Sequence, residues 1–280
     1  MEIVTTKEAV RAAVREWRRQ GESVGLVPTM GYLHAGHASL MRRARAENGR
    51  VVASVFVNPM QFGPAEDLDS YPRDPERDAA LCAEMGVDLL FRPDPAEMYG
   101  RDFRSYVDVS GLTEGLCGRS RPVHFRGVCT VVCKLMGIVR PDRAYFGQKD
   151  AQQLAVVRRM AEDLDLGVQV VGCPIVREPD GLAMSSRNTY LSAEERQAAL
   201  VLSRAVRHGR ELAESGERDA AAVAGAMRAI IEREPLARVD YVEVVDARTI
   251  RPQTELKRPV LGAVAVFIGR TRLIDNFILE

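Results

Sequence analysis

The sequence of residues 23–40 is SVGLVPTMGYLHAGHASL, and this stretch decides the fold. Its apolar start, SVGLVPTM, predicts a buried strand, and a glycine-containing turn leads into a helix that is predicted to end near Glu47. The apolar run VVASVFVN then predicts a second strand and completes a β-α-β unit. Strands joined in this way lie parallel in one sheet, so the stretch predicts an α/β fold with a Rossmann-like sheet.

The alternation of strands and helices continues to about Cys173. Asp74 and Pro75 predict a helix start, Gly86 predicts its end, and helical spacing of apolar residues predicts another helix over 128–136. A further helix is predicted after the glycine turn that follows RAYFG. The predicted strands of this region are VDLLFR, RAYFG and GVQVVG. We therefore predict a doubly wound parallel sheet in a domain that spans residues 1–175.

The pattern changes after Asn188. Ser192 and Glu195 have the spacing of a capping box, which predicts a long helix to about Leu212. A second helix is predicted over 219–234, and three strands follow it without helices between them. This region therefore predicts a smaller C-terminal α+β domain, residues 176–280.

The composition narrows the class of protein. The chain has 280 residues with 39 basic and 39 acidic side chains, so it lacks the net charge that attracts nucleic acid or an anionic membrane surface. The N-terminal residues contain no apolar signal-peptide core, and no later stretch is long and apolar enough to span a membrane. The five dispersed cysteines are typical of reduced intracellular thiols. We expect a cytoplasmic protein.

Two of the four histidines, His34 and His37, lie in the turn PTMGYLHAGH at the predicted helix start. Gly31 and Gly36 allow a ligand to approach the backbone, and a helix N-terminus attracts phosphate. Imidazoles at this place can donate hydrogen bonds to phosphoryl oxygens. The alternative is a capped helix start with two surface histidines, which is at least as common for an isolated H-x-G-H sequence. The position after a buried strand favours phosphate binding.

Two further turns carry polar groups that suit the same ligand. FGQKDAQQ places Lys149 at the carboxyl end of a predicted strand, although Asp150 and Gln153 also have the spacing of a simple helix cap. GLAMSSRN combines two hydroxyls with Arg187, which suits polyphosphate but also describes an ordinary surface loop.

Asn58 and Gln61 follow the second predicted strand, in VNPMQFG. They could contact a substrate hydroxyl or carboxylate, or they could only shape a turn. The sequences of a Walker P-loop and a G-x-G-x-x-G dinucleotide site are absent, which argues against those two classes of enzyme.

Five segments, in this order and spacing, resemble the pantothenate synthetase family of the H-x-G-H nucleotidyltransferase superfamily. They are PTMGYLHAGH, FVNPMQFG, HFRGVCTVV, RAYFGQKDAQQ and REPDGLAMSSRN. The resemblance implies an ATP-dependent ligase that joins (R)-pantoate to β-alanine. Pantoate would attack the α-phosphate of ATP and release pyrophosphate, and β-alanine would then convert the pantoyl-adenylate to pantothenate and AMP.

The resemblance also implies which residues act. His37 would be the catalytic acid, and His34, Lys149 and Arg187 would join it as donors to the phosphoryl oxygens. The implied ATP-binding residues are Met30, Gly31, Tyr32, Leu33, His34, Ala35, Gly36, His37, Gly147, Gln148, Lys149, Asp150, Val176, Met184, Ser185, Ser186 and Arg187.

The resemblance further implies substrate contacts and partners. Gln61 and Gln153 would hold pantoate, with Gln61 also near β-alanine, and three residues would lie close to the same cleft: Asn58, Arg121 and His124. Mg²⁺ would accompany ATP, with Asp78 and Asp150 as open candidates for its ligands. A homodimer is also expected, and the domain of residues 1–175 would bind ATP and pantoate. Because an acyl-adenylate is labile in water, we expect the C-terminal domain to close as a lid.

Two other functions remain open from the sequence. A nucleotidyltransferase that acts on a phosphorylated substrate would use the same His34, His37 and Arg187. A catalytically inactive nucleotide-binding protein could keep the same scaffold, because a fold does not imply an activity.

Overall fold

The computed structural model describes residues 1–64 and 66–280. The chain divides into two compact units, the first formed by residues 1–109, 123–148 and 156–174 and the second by residues 110–122, 149–155 and 175–280. The assignment of a binding domain to 1–175 and a lid to 176–280 stays a prediction. Throughout the described ranges, every helix is too short or too polar to cross a membrane.

The first unit contains one sheet of six strands, which are hydrogen-bonded in the order β1-β4-β3-β2-β5-β6. The strands are β1 (Glu2–Val4), β2 (Val24–Thr29), β3 (Arg50–Val55), β4 (Leu89–Phe91), β5 (Arg143–Gly147) and β6 (Gln169–Cys173). All neighbouring pairs are parallel. Because β3 and β4 extend the sheet to one side of β2 and β5 and β6 to the other, the strand order reverses at β2, which is the switch point of a doubly wound fold. The predicted sheet is confirmed.

Helices connect the parallel strands. They are α1 (Lys7–Arg19), α2 (Ala35–Glu47), α3 (Pro75–Glu84), α4 (Pro95–Met98), α6 (His124–Val139) and α7 (Ala151–Asp163), with 3-10 turns at Pro59–Gln61 and Gln148–Asp150. The division between the units passes through α7. Strand β1 and helix α1 were not among the predicted elements. Thr6 is the N-cap of helix α1, its hydroxyl accepts the Ala9 N–H at 3.2 Å, and the helix buries Val10 and Val14.

The second unit packs helices on an antiparallel sheet of order β7-β8-β9. Its elements are α5 (Leu116–Ser120), a 3-10 helix (Ser186–Tyr190), α8 (Ala193–Ala198), α9 (Leu200–Glu214), α10 (Ala220–Ile231), β7 (Ala237–Asp246), β8 (Val260–Ile268) and β9 (Thr271–Leu279). The predicted α+β character is confirmed, and Ser192 and Glu195 form the predicted capping box. The predicted long helix is interrupted at Ala199, so α8 and α9 are separate.

Gly127 lets helix α6 lie directly against the 3-10 turn of Pro59–Gln61. A Cβ atom at this position would overlap the backbone of Met60 and Gln61. The Gly127 carbonyl also accepts a hydrogen bond from Asn58 Nδ2 at 3.1 Å. The close approach therefore fixes a segment that contains two of the predicted substrate contacts.

We predict that Gly127→Ala lowers the free energy of unfolding by about 1–3 kcal/mol, because backbone rather than a flexible side chain must move. Gly137→Ala, in the same helix, meets open space and should stabilise by roughly 0.5–1 kcal/mol. Chemical denaturation of both variants measures the difference. Equal stability of the two variants would contradict the close packing.

Candidate functional site

Within the first unit, sheet topology brings three of the predicted segments to one edge. Strand β2 pairs in parallel with both β3 and β5, so Thr29, Val55 and Gly147 end their strands on the same side of the sheet. The predicted residues 30–37 and 58–61 follow the first two of these ends. Gly147 and Gln148 lie at the third. The carboxyl edge of a doubly wound sheet is where ligands bind.

His34 and His37 form a reciprocal cap at the start of α2. His34 is the N-cap residue, and its Nδ1 accepts the Gly36 N–H at 3.1 Å. Nδ1 of His37 accepts the His34 N–H at 3.3 Å, and the two ring centroids are 4.1 Å apart. A backbone N–H can only donate, so each Nδ1 is unprotonated and each neutral ring carries its proton on Nε2. The rings are therefore held as Nε2–H donors.

Asp78, on α3, fixes the turn that precedes this cap. Its side chain is 2% exposed, and its two oxygens accept the N–H groups of Tyr32 at 2.9 Å and Leu33 at 2.7 Å. Gly31 and Tyr32 both have left-handed backbones, with φ of 88° and 49°. A Cβ on Gly31 would lie 2.9 Å from Asp78 Oδ2, so this position requires glycine.

Burial raises the pKa of Asp78, while the two backbone N–H donors act in the opposite direction. From the sequence, Asp78 was predicted only as a candidate metal ligand, and in the structure both of its oxygens accept hydrogen bonds from the turn. One sequence signal could have revealed this, because Asp78 lies four residues before the buried Cys82 and so faces the core side of α3.

The structure brings together three predicted substrate contacts in the first unit. Asn58, Gln61 and His124 are all buried. Asn58 Nδ2 donates to Gln61 Oε1 at 3.1 Å, and His124 Nδ1 donates to the Gln61 carbonyl at 3.0 Å. Gln61 Nε2 lies 3.0 Å from Met30 Sδ, which connects this cluster to the predicted ATP-binding turn.

In the second unit, a short antiparallel hairpin carries another group of predicted residues. The Met184 N–H donates to the Val176 carbonyl at 3.0 Å, and Ser185 Oγ accepts the Arg187 N–H at 3.3 Å. Ser186 and Arg187 thus lie in the 3-10 helix that Ser185 caps. The predicted serines and arginine therefore belong to one ordered segment and not to separate surface positions.

Lys149 belongs to the same unit as this hairpin. It lines a small cavity with Ser185 and Asp275, and its carbonyl accepts Asn276 Nδ2 at 2.8 Å. Desolvation lowers the pKa of Lys149, the Arg187 guanidinium lowers it further, and Asp150 and Asp275 act in the opposite direction.

An ion pair that the sequence analysis missed supports the hairpin. Arg177 Nη1 and Nη2 donate to the two carboxylate oxygens of Asp275, at 2.7 and 2.9 Å. Arg177 Nη1 also donates to the Gly181 carbonyl at 3.1 Å. Bidentate pairing of this kind gives a specific geometry as well as energy, so it fixes the hairpin on strand β9.

Gln153 and Arg121 also lie in the second unit. Gln153 is half-buried in the first turn of α7, and Arg121 follows α5. The neighbouring Gln152, which the sequence analysis did not single out, is buried and accepts the Cys117 N–H at 2.9 Å while donating to the carbonyls of Leu112 and Gly115. Gln152 therefore anchors the segment before α5.

In the part of the chain that the structure describes, no three or more His, Cys, Asp or Glu side chains form a group suited to a metal ion. Asp78 does not fit a metal ligand, because both oxygens accept backbone N–H groups. Asp150 is exposed at the end of its 3-10 turn. Mg²⁺ commonly keeps several waters and binds through substrate phosphates with one or two carboxylates.

The parallel sheet with an H-x-G-H turn at its carboxyl edge places the chain among the Rossmann-like α/β proteins that carry this motif. The family model for pantoate-beta-alanine ligase matches residues 2–278. A pantothenate synthetase from Heliobacterium modesticaldum is 60% identical over 280 residues, which cover 100% of both chains. The chain therefore belongs to the pantoate–β-alanine ligase family, and the predicted family and enzyme class are confirmed.

Two solved structures agree with this assignment. Pantothenate synthetase from Thermus thermophilus superposes with a TM-score of 0.94 at 51% identity, covering 99% of each chain. Pantoate-beta-alanine ligase from Francisella tularensis, complexed with beta-gamma ATP and beta-alanine, gives a TM-score of 0.82 at 30% identity, covering 99% of this chain and 97% of that one.

We predict that Asp78→Ala loosens the H-x-G-H turn. Loss of the carboxylate leaves two N–H groups without their acceptor, which costs about 1–3 kcal/mol where water cannot replace it. Amide hydrogen exchange should accelerate at Tyr32 and Leu33. Glu76→Ala, which removes an exposed carboxylate from the same turn of α3, is the control and should leave both rates unchanged. Unchanged exchange rates at Tyr32 and Leu33 in Asp78→Ala would contradict the role of Asp78 in fixing the turn.

Proposed function

We propose that the chain catalyses the ATP-dependent condensation of (R)-pantoate with β-alanine to pantothenate, AMP and pyrophosphate. The observation that supports this most strongly is the family match over residues 2–278. The geometry of the H-x-G-H turn adds a chemical reason, because it holds two imidazoles as N–H donors at a helix N-terminus.

In the first step, a pantoate carboxylate oxygen forms a bond to the α-phosphorus of ATP. The bond between that phosphorus and the bridging oxygen breaks, and pyrophosphate leaves with the electron pair. Such transfers are catalysed mainly by positioning and by neutralising charge on phosphoryl oxygens. His34 and His37 donate from Nε2, with His37 as the acid, and Lys149 and Arg187 supply positive charge.

The remaining ATP contacts come from residues 30–33, 35–36, 147–148, 150 and 184–186 together with Val176.

In the second step the β-alanine nitrogen attacks the acyl carbon of pantoyl-adenylate and loses a proton, and AMP leaves. Gln61 and Gln153 hold pantoate, and Gln61 also lies near β-alanine. Asn58, Arg121 and His124 complete the substrate contacts.

Mg²⁺ and the homodimer are inferred from the family resemblance, the cytoplasmic location from the composition, and the closing lid from the lability of the adenylate. Mg²⁺ accompanies ATP as part of the substrate, with Asp150 as the candidate carboxylate. The protein acts in the cytoplasm as a homodimer, and the C-terminal domain closes as a lid that protects the labile adenylate from water.

Product analysis tests the proposal. Pyrophosphate should form from ATP when pantoate is added, and AMP and pantothenate should appear when β-alanine follows. Adenylylation of a phosphorylated substrate instead would favour the nucleotidyltransferase. ATP binding by folded protein without any product would favour the inactive scaffold.

We predict that His37→Ala and Lys149→Ala each reduce pantoate-dependent pyrophosphate release by about 100-fold or more, because each removes a donor to the reacting phosphate. Both variants should remain folded by circular dichroism. His208→Ala, on helix α9, and Lys257→Ala, an exposed lysine, are matched controls that should keep wild-type rates. Wild-type turnover in a folded His37 or Lys149 variant would refute the role of that residue.

A further inference from the structure

Tyr99 follows helix α4 and contacts the Asn58 side chain from outside the predicted motifs. Its ring packs at 6.1 Å from Phe56 and at 5.0 Å from Phe103, measured between centroids. Its hydroxyl donates to Asn58 Oδ1 at 2.7 Å. Burial raises the pKa of Tyr99, so the phenol stays protonated and remains a donor at neutral pH.

Four hydrogen bonds hold the Asn58 amide. The Met60 N–H can only donate and the Gly127 carbonyl can only accept, so these two fix which way the amide faces, and the Tyr99 hydroxyl holds Oδ1 in place. Oδ1 accepts from the Tyr99 hydroxyl and, at 3.3 Å, from the Met60 N–H. Nδ2 donates to the Gly127 carbonyl and to Gln61 Oε1, both at 3.1 Å. The Tyr99 bond is the shortest of the four. Because Asn58 is 1% exposed, water cannot substitute easily for a lost partner.

The orientation of Asn58 sets the orientation of Gln61. Since Asn58 presents an N–H group, Gln61 must turn its Oε1 toward Asn58 and its Nε2 toward Met30. Through Nε2, Gln61 can contact a ligand only as a hydrogen-bond donor. A donor suits a carboxylate or hydroxyl oxygen, whereas the reversed amide would place an oxygen against the carboxylate of pantoate and repel it.

We propose that Tyr99 is a positioning residue for pantoate, whose hydroxyl holds Asn58 so that Gln61 presents its amide N–H groups to a substrate oxygen. The proposal rests on the proposed role of Gln61 in binding pantoate. The phenol itself does not touch the substrate. It acts through the side-chain amides of Asn58 and Gln61, whose orientations are coupled by one hydrogen bond.

Tyr99→Phe tests the proposal because it removes one hydroxyl and keeps the ring packing. The KM for pantoate should rise roughly 3- to 10-fold, the range for loss of one hydrogen bond, while the KM for ATP stays unchanged. The melting temperature should fall modestly relative to Tyr106→Phe, because the buried Asn58 Oδ1 loses its shortest hydrogen bond. Tyr106 is a matched control, since this residue is 51% exposed and its ring packs on the same Phe103.

Nuclear magnetic resonance measures the two side-chain amides directly. In ¹⁵N-labelled protein, the side-chain NH₂ signals of Asn58 and Gln61 should shift and exchange faster in Tyr99→Phe, and they should match wild type in Tyr106→Phe. A merely structural role would instead change the KM values of pantoate and ATP together.

Two results overturn the proposal. One is a pantoate KM in Tyr99→Phe equal to that of Tyr106→Phe, and the other is a set of unchanged Asn58 and Gln61 signals. Both are read against a wild-type enzyme that forms pantothenate. Failure of the wild type to form pantothenate would refute the proposed function. An active wild type whose pantoate KM is unchanged by Tyr99→Phe would refute only the positioning role.

Discussion

Parallel hydrogen bonding of strand β2 to both β3 and β5 is the constraint on which the first unit depends. The three strands run in one direction, so the segments that follow Thr29, Val55 and Gly147 all emerge at the same edge of the sheet. Reversing any one strand would move its segment to the opposite edge. The turns that carry the predicted site residues are thus neighbours because of backbone pairing, and the residues within them need only local adjustments.

Those local adjustments are made by buried polar side chains that accept hydrogen bonds from backbone N–H groups or donate them to backbone carbonyls. A non-glycine residue in the left-handed region, such as Tyr32, costs about 1–2 kcal/mol. Hydrogen bonds to a charged group contribute about 1.5–3 kcal/mol each, so the two bonds of Asp78 exceed that cost. Their net gain is reduced by burial of the carboxylate, which agrees with the direction of its pKa shift. The turn is therefore stable but strained.

The sequence predicted most of the regular elements because apolar periodicity follows the core directly. It did not reveal β1, which has three residues with two exposed, or the interruption at Ala199. It also did not reveal the supporting residues. Tyr99 lies 41 residues from Asn58, and Asp275 lies 98 residues from Arg177. No local pattern encodes such pairs, since they arise only when separate elements pack. The motifs could thus be found in the sequence, whereas these distant supporting residues could not.

The histidine pair shows why two interpretations of one motif need not compete. A capped helix and a phosphate site were treated as alternatives, yet an imidazole has two nitrogens with different roles. Nδ1 of each ring caps the helix, and the same bond requires the proton to sit on Nε2. Serine or aspartate would cap as well. Neither would hold a second, separate N–H donor in a fixed direction, so histidine at both positions suits the proposed phosphate site.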